Sequence, residues 1–296
     1  VTGRLDLGAD TVINGLLSHD DLQEARTSSA SPTIAGLPVE YRVDTATVAA
    51  ARTFNRIRLS GVATLRDYDF DDVSTFGGGI IDQQYRDQTA TSLRARVDYG
   101  VSPDTSVFVE VSHTMRDYRT LSAGYNRDND STLVLVGGSA AISTLMRGEI
   151  GVGYLQSSHD DPARPDVDGF GARAAIEYFP TDLLTISLQA SRAFQDVGIR
   201  EATGSINTDF DLRADYEIRR NLIANGRFGY SVDDYEDIVR TDKRTRAGLG
   251  LAWYFYRAYS LNLAYDYIKQ NSTGTLGLTG RDFAVNLFTA GVTIRY

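Results

Sequence analysis

Apolar and polar residues alternate along most of this chain, and the alternation breaks and restarts at regular intervals. The clearest instance runs from Leu222 to Val232. Leu222, Ala224, Gly226, Phe228 and Tyr230 share one parity, and Asn225, Arg227, Gly229 and Ser231 the other. The preceding run sets Phe210, Leu212, Ala214 and Tyr216 against Asp209, Asp211, Arg213, Asp215 and Glu217. Such a period of two predicts strands with one apolar face and one charged face. Arg219-Arg220-Asn221 joins the two runs as a tight turn.

The same unit recurs along the chain. Turn centres fall near 54, 103, 145, 181, 220 and 257, and alternate ends are joined by longer segments at about 15–39, 69–86, 118–130, 157–168, 195–205, 233–243 and 269–281. All six prolines lie in these loops or turns, where the missing N–H costs no ladder bond. Counting gives fourteen strands, an even number that places both termini on the short-turn side. The strand near 131–142 is apolar on both parities, and a phase shift at Leu287-Phe288 predicts a β-bulge.

Short turns on one side and long loops on the other are the rhythm of an all-β, transmembrane, antiparallel up-and-down barrel. One domain over 1–296 is expected. Aromatics gather at strand ends, as expected of girdles at two membrane interfaces: Tyr99, Tyr178, Trp253, Tyr259 and Tyr296 beside short turns, Tyr265 beside a loop. Tyr68, Tyr118, Tyr154, Phe170 and Tyr230 stand at other loop ends and are assigned the same role.

Opposite the apolar parity stand Arg58, Arg66, Arg94, Arg96, Glu110, Asp209, Asp211, Arg213, Asp215, Glu217 and Arg227. They are too many charges to bury dry, so they are expected to line a wet lumen. Arginines concentrate on two strands and carboxylates on a third, which predicts a basic wall facing an acidic one and a field across the pore. Phe108 and Tyr254 are scattered candidates for contacts with sugar rings. The longest loop, 15–39, is the candidate for folding inward.

Composition narrows the functions. The chain has no cysteine, so no disulfide or thiolate metal site is available. A net charge of −9 argues against nucleic acid. No stretch is long and apolar enough for a membrane helix. Val1 begins directly in a strand-like pattern, as expected of a chain whose leader has been removed.

A lipase-type site needs serine, histidine and a carboxylate at one rim. His19-Asp20-Asp21 with Ser18, and His159-Asp160-Asp161 with Ser157, are the candidates, but no Gly-x-Ser-x-Gly elbow is present. No enzyme activity, catalytic residue, cofactor or metal site is expected. Gly77-Gly78-Gly79 lacks the lysine of a phosphate loop, and the acidic pairs lack EF-hand spacing.

Several segments resemble the putative beta-barrel porin 2 family: Arg66-Asp67-Tyr68, Tyr85-Arg86-Asp87-Gln88, Asp98 to Asp104, Ser112-His113 with Arg116-Asp117-Tyr118, and Gly151 to Tyr154. The resemblance covers most of the chain and implies a single outer-membrane barrel with no catalytic motif. The final strand, with alternate apolar residues and a terminal aromatic, resembles the signal read by the barrel assembly machinery. The expected function is a porin-like channel of the Gram-negative outer membrane for small polar solutes or saccharides. The alternatives are a barrel of an exopolysaccharide export system and a non-conducting surface barrel. Expected partners are outer-membrane lipid and lipopolysaccharide, the assembly machinery, and polysaccharide export proteins.

Overall fold

The computed structural model describes every residue except Ala9, Ala123, Thr203, Arg257, residues 276–279, Arg295 and Tyr296. The terminal tyrosine and part of the turn at Tyr256-Arg257 therefore lie outside the described residues. Alternation becomes strand throughout: β1 (Thr2–Leu7), β2 (Thr11–Gln23), β3 (Glu40–Phe54) and β4 (Ile57–Phe70) come first. A two-stranded hairpin, β5 (Val73–Ser74) and β6 (Ile80–Ile81), and a single 3-10 turn (Gln84–Arg86) decorate the next loop. Then follow β7 (Gln88–Ser102), β8 (Thr105–Tyr118), β9 (Asn129–Ser143), β10 (Met146–His159) and β11 (Val167–Thr181). The last six are β12 (Leu184–Gln195), β13 (Ser205–Arg219), β14 (Leu222–Tyr235), β15 (Arg240–Tyr256), β16 (Tyr259–Gly274) and β17 (Phe283–Ile294).

Apart from the β5–β6 hairpin, these strands form one 15-stranded sheet in sequence order. Each is hydrogen-bonded to its neighbours in the chain, the meander that short hairpin turns dictate. From β2 to β17, every strand of that sheet has 12 to 17 residues. A tilted strand needs about 9–11 residues to cross a bilayer, a length that each of these exceeds.

The expected fourteen strands are corrected to fifteen. Gly8 (φ 72°) and Asp10 turn the chain between β1 and β2. The turn hides in a run that keeps apolar residues on both sides of it. Much of the expected first loop is therefore strand β2, and only 24–39 remains as loop. The count is odd, and β1 begins beside Leu16, away from the short turns. The expected bulge in the last strand is also absent. β16 and β17 pair without a register break from Tyr259↔Ile294 to Gln270↔Phe283. Leu287 sits opposite Asp266 on one face and Phe288 opposite Tyr265 on the other, so both faces of β17 are apolar there.

The chain forms two compact units. The first comprises Val1–Val136, Gly153–Gly171 and Phe194–Ser205; the second comprises Gly137–Val152, Ala172–Ala193 and Ile206–Tyr296. In the first, a buried cluster of Ala35, Val39, Phe70 and Val73 ties the 24–39 loop to the end of β4. The apolar face carries the cross-strand row Leu59–Val97–Val109, whose members are 42–48% exposed. The second unit repeats this with Ala224–Leu251–Leu263–Ala290. A large exposed apolar surface calls for a non-aqueous neighbour.

Candidate functional site

Register sorts the side chains, because residues directly opposite on paired strands share a face. In the first unit the charged face reads, row by row, Arg58–Asp98–Phe108, then Ser60–Arg96–Glu110, then Val62–Arg94–Ser112. The arginines there do not stand alone. Arg96 lies 2.7 Å from Asp98 and 3.7 Å from Glu110, and Arg94 lies 3.6 Å from Glu110. The Arg96 guanidinium also covers the Phe108 ring at 3.8 Å. Phe108 is thus sealed under a cation and offers no open ring face.

The second unit behaves alike. Arg213 pairs with Asp215 at 2.7 Å along β13. Arg246 on β15 reaches Asp209 (2.7 Å) and Asp211 (3.3 Å) on β13, passing over Gly229 of β14. Arg227 reaches Asp266 across Gly248. Glu217 is half-buried near the short turn. Of the expected basic wall, Arg94 and Arg96 have carboxylate partners within their own unit. Of the expected acidic one, Asp209, Asp211 and Asp215 have arginine partners within theirs. Arg58, Arg66 and Glu217 form no ion pair among the described residues.

Toward the loop end of the first unit two further rows follow, Arg66–Ala90–Arg116 and Tyr68–Gln88–Tyr118. The two Arg-Asp-Tyr triplets thus stand on β4 and β8, at the same height on either side of β7. Their arginines and tyrosines share the charged face. Their aspartates point to the other face, where Asp67 accepts from Arg119 at 2.5 Å. Small Ala90 leaves room between the arginines. These side chains, with Arg86 and Arg127, line a cavity of about 260 Å³.

A loop forms one wall of that cavity. The segment that follows β12, from Asp196 to Gly198, turns onto the charged face. The Tyr118 hydroxyl donates to Asp196 at 2.7 Å, and the Tyr85 hydroxyl donates to the Gly198 carbonyl at 2.9 Å. Arg127 donates to the Val197 carbonyl, and Arg200 lies 3.5 Å from Asp82. Burial pushes the Tyr85 phenol above its ordinary range despite the arginines around it. Phe70 is covered by Tyr41, stacked at 4.9 Å, and by Arg86 at 4.1 Å. Arg86 is held by Glu24 at 2.8 Å.

Two of the cavity arginines lack a carboxylate. Arg66 makes no ion pair or hydrogen bond among the described residues. Arg116 donates to the Asn129 amide oxygen at 3.3 Å and Ser131 at 3.4 Å. Arg127 is 2% exposed and sits 3.7 Å from Asp196. Its Nε and Nη1, together with Arg86 Nε, Gln88 Oε1 and Asp196 Oδ1, are buried without hydrogen-bond partners. Buried polar atoms are rarely left so.

Of the residues expected on the charged face, only Arg66 belongs to this cavity. Tyr68 and Tyr118, assigned to a membrane girdle, are cavity residues instead: they share parity with Arg66 and Arg116, a signal present in the sequence. Arg127 and Asp196 lie outside strands, where parity says nothing. Among the assigned interface aromatics, Tyr99, Tyr178, Trp253 and Tyr259 are 40–46% exposed, Tyr265 is half-buried against Phe288 at 4.7 Å, and Tyr296 is not described. The first loop also reaches this cavity: Glu24 holds Arg86, and Ala30 approaches Gly198 of the segment after β12.

Comparison with known proteins agrees with the fold. The model of the putative beta-barrel porin 2 family matches residues 1–296. Among solved structures, the chain is similar to the FrpB iron transporter from Neisseria meningitidis, F5-1 variant (TM-score 0.64, 9% identity, covering 100% of this chain and 57% of that one). It is also similar to the ferric citrate transporter FecA in its unliganded form (0.55, 13%, 96% and 52%). A third is the alcaligin outer membrane receptor FauA from Bordetella pertussis (0.51, 12%, 100% and 56%). At such identities the likeness is one of fold, and the chain spans little more than half the length of these proteins. Among curated proteins none matches the sequence significantly.

Proposed function

The chain belongs to the putative beta-barrel porin 2 family, and from that premise we propose that it is a channel of the Gram-negative outer membrane. Small polar solutes or saccharides would pass along its charged face. One observation carries the reading: the same strands present a half-exposed apolar face and, on alternate residues, a face of arginines and carboxylates. Hydrocarbon suits the first face; the second needs water. Paired charges over small residues leave a polar surface with little net field, fitted to neutral or modestly charged solutes.

The reading is non-enzymatic. His19 Nδ1 engages Asp44 at 2.7 Å on the face opposite Ser18, and His159 Nδ1 engages the Pro165 carbonyl. Outer-membrane lipid would cover the apolar face. Lipopolysaccharide would meet the charged residues beyond it, where Arg42 pairs with Asp69 and Arg119 with Asp67.

The test is conductance of the refolded chain in planar bilayers. Discrete current steps are expected, and folded protein that inserts without current overturns the reading. The pinned 196–204 loop favours a second reading, a barrel held closed until that loop moves. It predicts silence in the native chain and steps once the Asp196 contacts are removed.

A further inference from the structure

We infer that the cavity beneath the 196–204 loop is a binding site for a hydroxylated carboxylate, a single sugar-acid unit. Three observations converge. The first is charge. Arg66, Arg86, Arg116 and Arg127 line the cavity, while the nearest carboxylates are Asp196, beside Arg127, and Glu24, bound to Arg86. Two positive charges remain uncompensated, and both Arg66 and Arg116 lack an anionic partner. A planar guanidinium matches a carboxylate with paired hydrogen bonds.

The second is the pattern of orphaned atoms. Buried Arg127 has two guanidinium nitrogens without acceptors, and Arg86 has one. Gln88 Oε1 and Asp196 Oδ1 are buried acceptors without donors. A simple anion such as acetate would serve the nitrogens and leave the two acceptors wanting. A neutral sugar would serve the acceptors and leave the arginines wanting. These residues line the cavity but the atoms themselves are closed off, so a ligand would meet them as the side chains turn toward it. A molecule with both hydroxyls and a carboxylate would then serve all of them, and each buried group left unsatisfied is costly.

The third is size. A cavity of about 260 Å³ lies just below the range of roughly 300–1,000 Å³ usual for small-molecule pockets, which fits one ring rather than a chain of several. The inference rests on the channel reading only in that the cavity lies on the face solutes would follow.

The experiment uses the full refolded chain in detergent micelles, with D-glucuronate as the probe in titration calorimetry. Saturable binding is expected, with D-glucose and acetate each at least about tenfold weaker. Arg66→Gln and Arg116→Gln are each expected to weaken glucuronate about tenfold or more. The Arg66 side chain makes no hydrogen bond or ion pair among the described residues, so its variant keeps the test valid if Arg116→Gln misfolds. A tetraglucuronate is expected to bind no more tightly than the monomer. Absence of saturable binding, glucose binding as well as glucuronate, unchanged affinity in Arg66→Gln, or a tighter tetramer would each overturn the proposal. Conductance of the native chain without ligand is recorded in parallel. Current without glucuronate binding ends the site and leaves the channel; binding without current ends the open-channel reading and leaves the site.

Discussion

Arg227 on β14 reaches Asp266 on β16 by lying across Gly248 of the strand between them. The three residues form one cross-strand row. A Cβ at position 248 would stand 2.5 Å from Arg227 Nε and 2.6 Å from Asp266 Oδ1. The glycine is therefore the floor of an ion pair spanning two strand spacings, roughly 10 Å. Gly229 does the same for Arg246 and Asp211, with approaches of 2.6–2.7 Å.

Gly248→Val is expected to separate the pair and lower stability. Gly226→Val is its control, because the new Cβ would meet only Leu249 Cδ2 at 3.8 Å. Both changes gain the strand preference of valine. Arg227 is largely exposed and its pair is screened, so the difference between the variants is modest, about 1 kcal/mol. Urea unfolding in detergent measures it; equal midpoints would refute the bridging role of Gly248.

Much of this arrangement was legible in the alternation itself. Period-two reading placed Arg227, Arg94 and Asp209 on the charged face and located six short turns to within a residue or two. It failed where parity carries no information. The Gly8 turn is flanked by apolar residues on both sides, so β1 and β2 merged into one strand. The pairing of Arg246 with Asp209 skips a strand, and no local pattern encodes such a reach except the intervening glycine. The cavity was half legible: Arg66, Tyr68, Arg116 and Tyr118 repeat one triplet, but Arg127 and Asp196 sit in loops.

Asp87 gives a pH-dependent signature. Phe70 N–H donates to its carboxylate at 2.7 Å, yet burial dominates and raises its pKa above the ordinary 3.8, with Asp69 and Asp67 adding to the rise. The folded chain then binds this proton more tightly than the unfolded chain. Stability falls as pH rises from about 3.8 through the folded value, and stays lower above it. Asp87→Asn keeps an acceptor for Phe70 and removes the charge. It is expected to match the native chain near pH 3 and exceed it at pH 7. Urea midpoints at the two values decide, and a stability gap that does not change with pH would contradict the assignment.

Asp196 anchors the 196–204 loop through the Tyr118 hydroxyl and the Gln88 amide at 3.3 Å. Asp196→Ala removes both contacts and leaves Arg127 without its carboxylate, so the loop is expected to detach. Limited trypsin digestion reads this directly at Arg200, which the native loop holds against Asp82. Cleavage there is expected to accelerate several-fold, because local opening governs proteolysis. An unchanged rate would show that the backbone contacts at Val197 and Gly198 hold the loop alone.

The chain has one tryptophan, and its place tests the membrane reading without any mutation. Trp253 is 45% exposed on the apolar face, opposite Leu222 at the short-turn end of β14. Its ring packs against Phe255 at 5.4 Å, and Phe255 stacks on Tyr259 at 6.0 Å. Amphipathic rings gathered at a strand end belong at a headgroup boundary. In bilayers of lipids brominated at chosen acyl positions, quenching of Trp253 is expected to be strongest for bromines near the headgroup and to fall toward the bilayer centre. Quenching that peaks at the centre would move the apolar band along the strands. No quenching at any depth would mean that this face does not meet lipid.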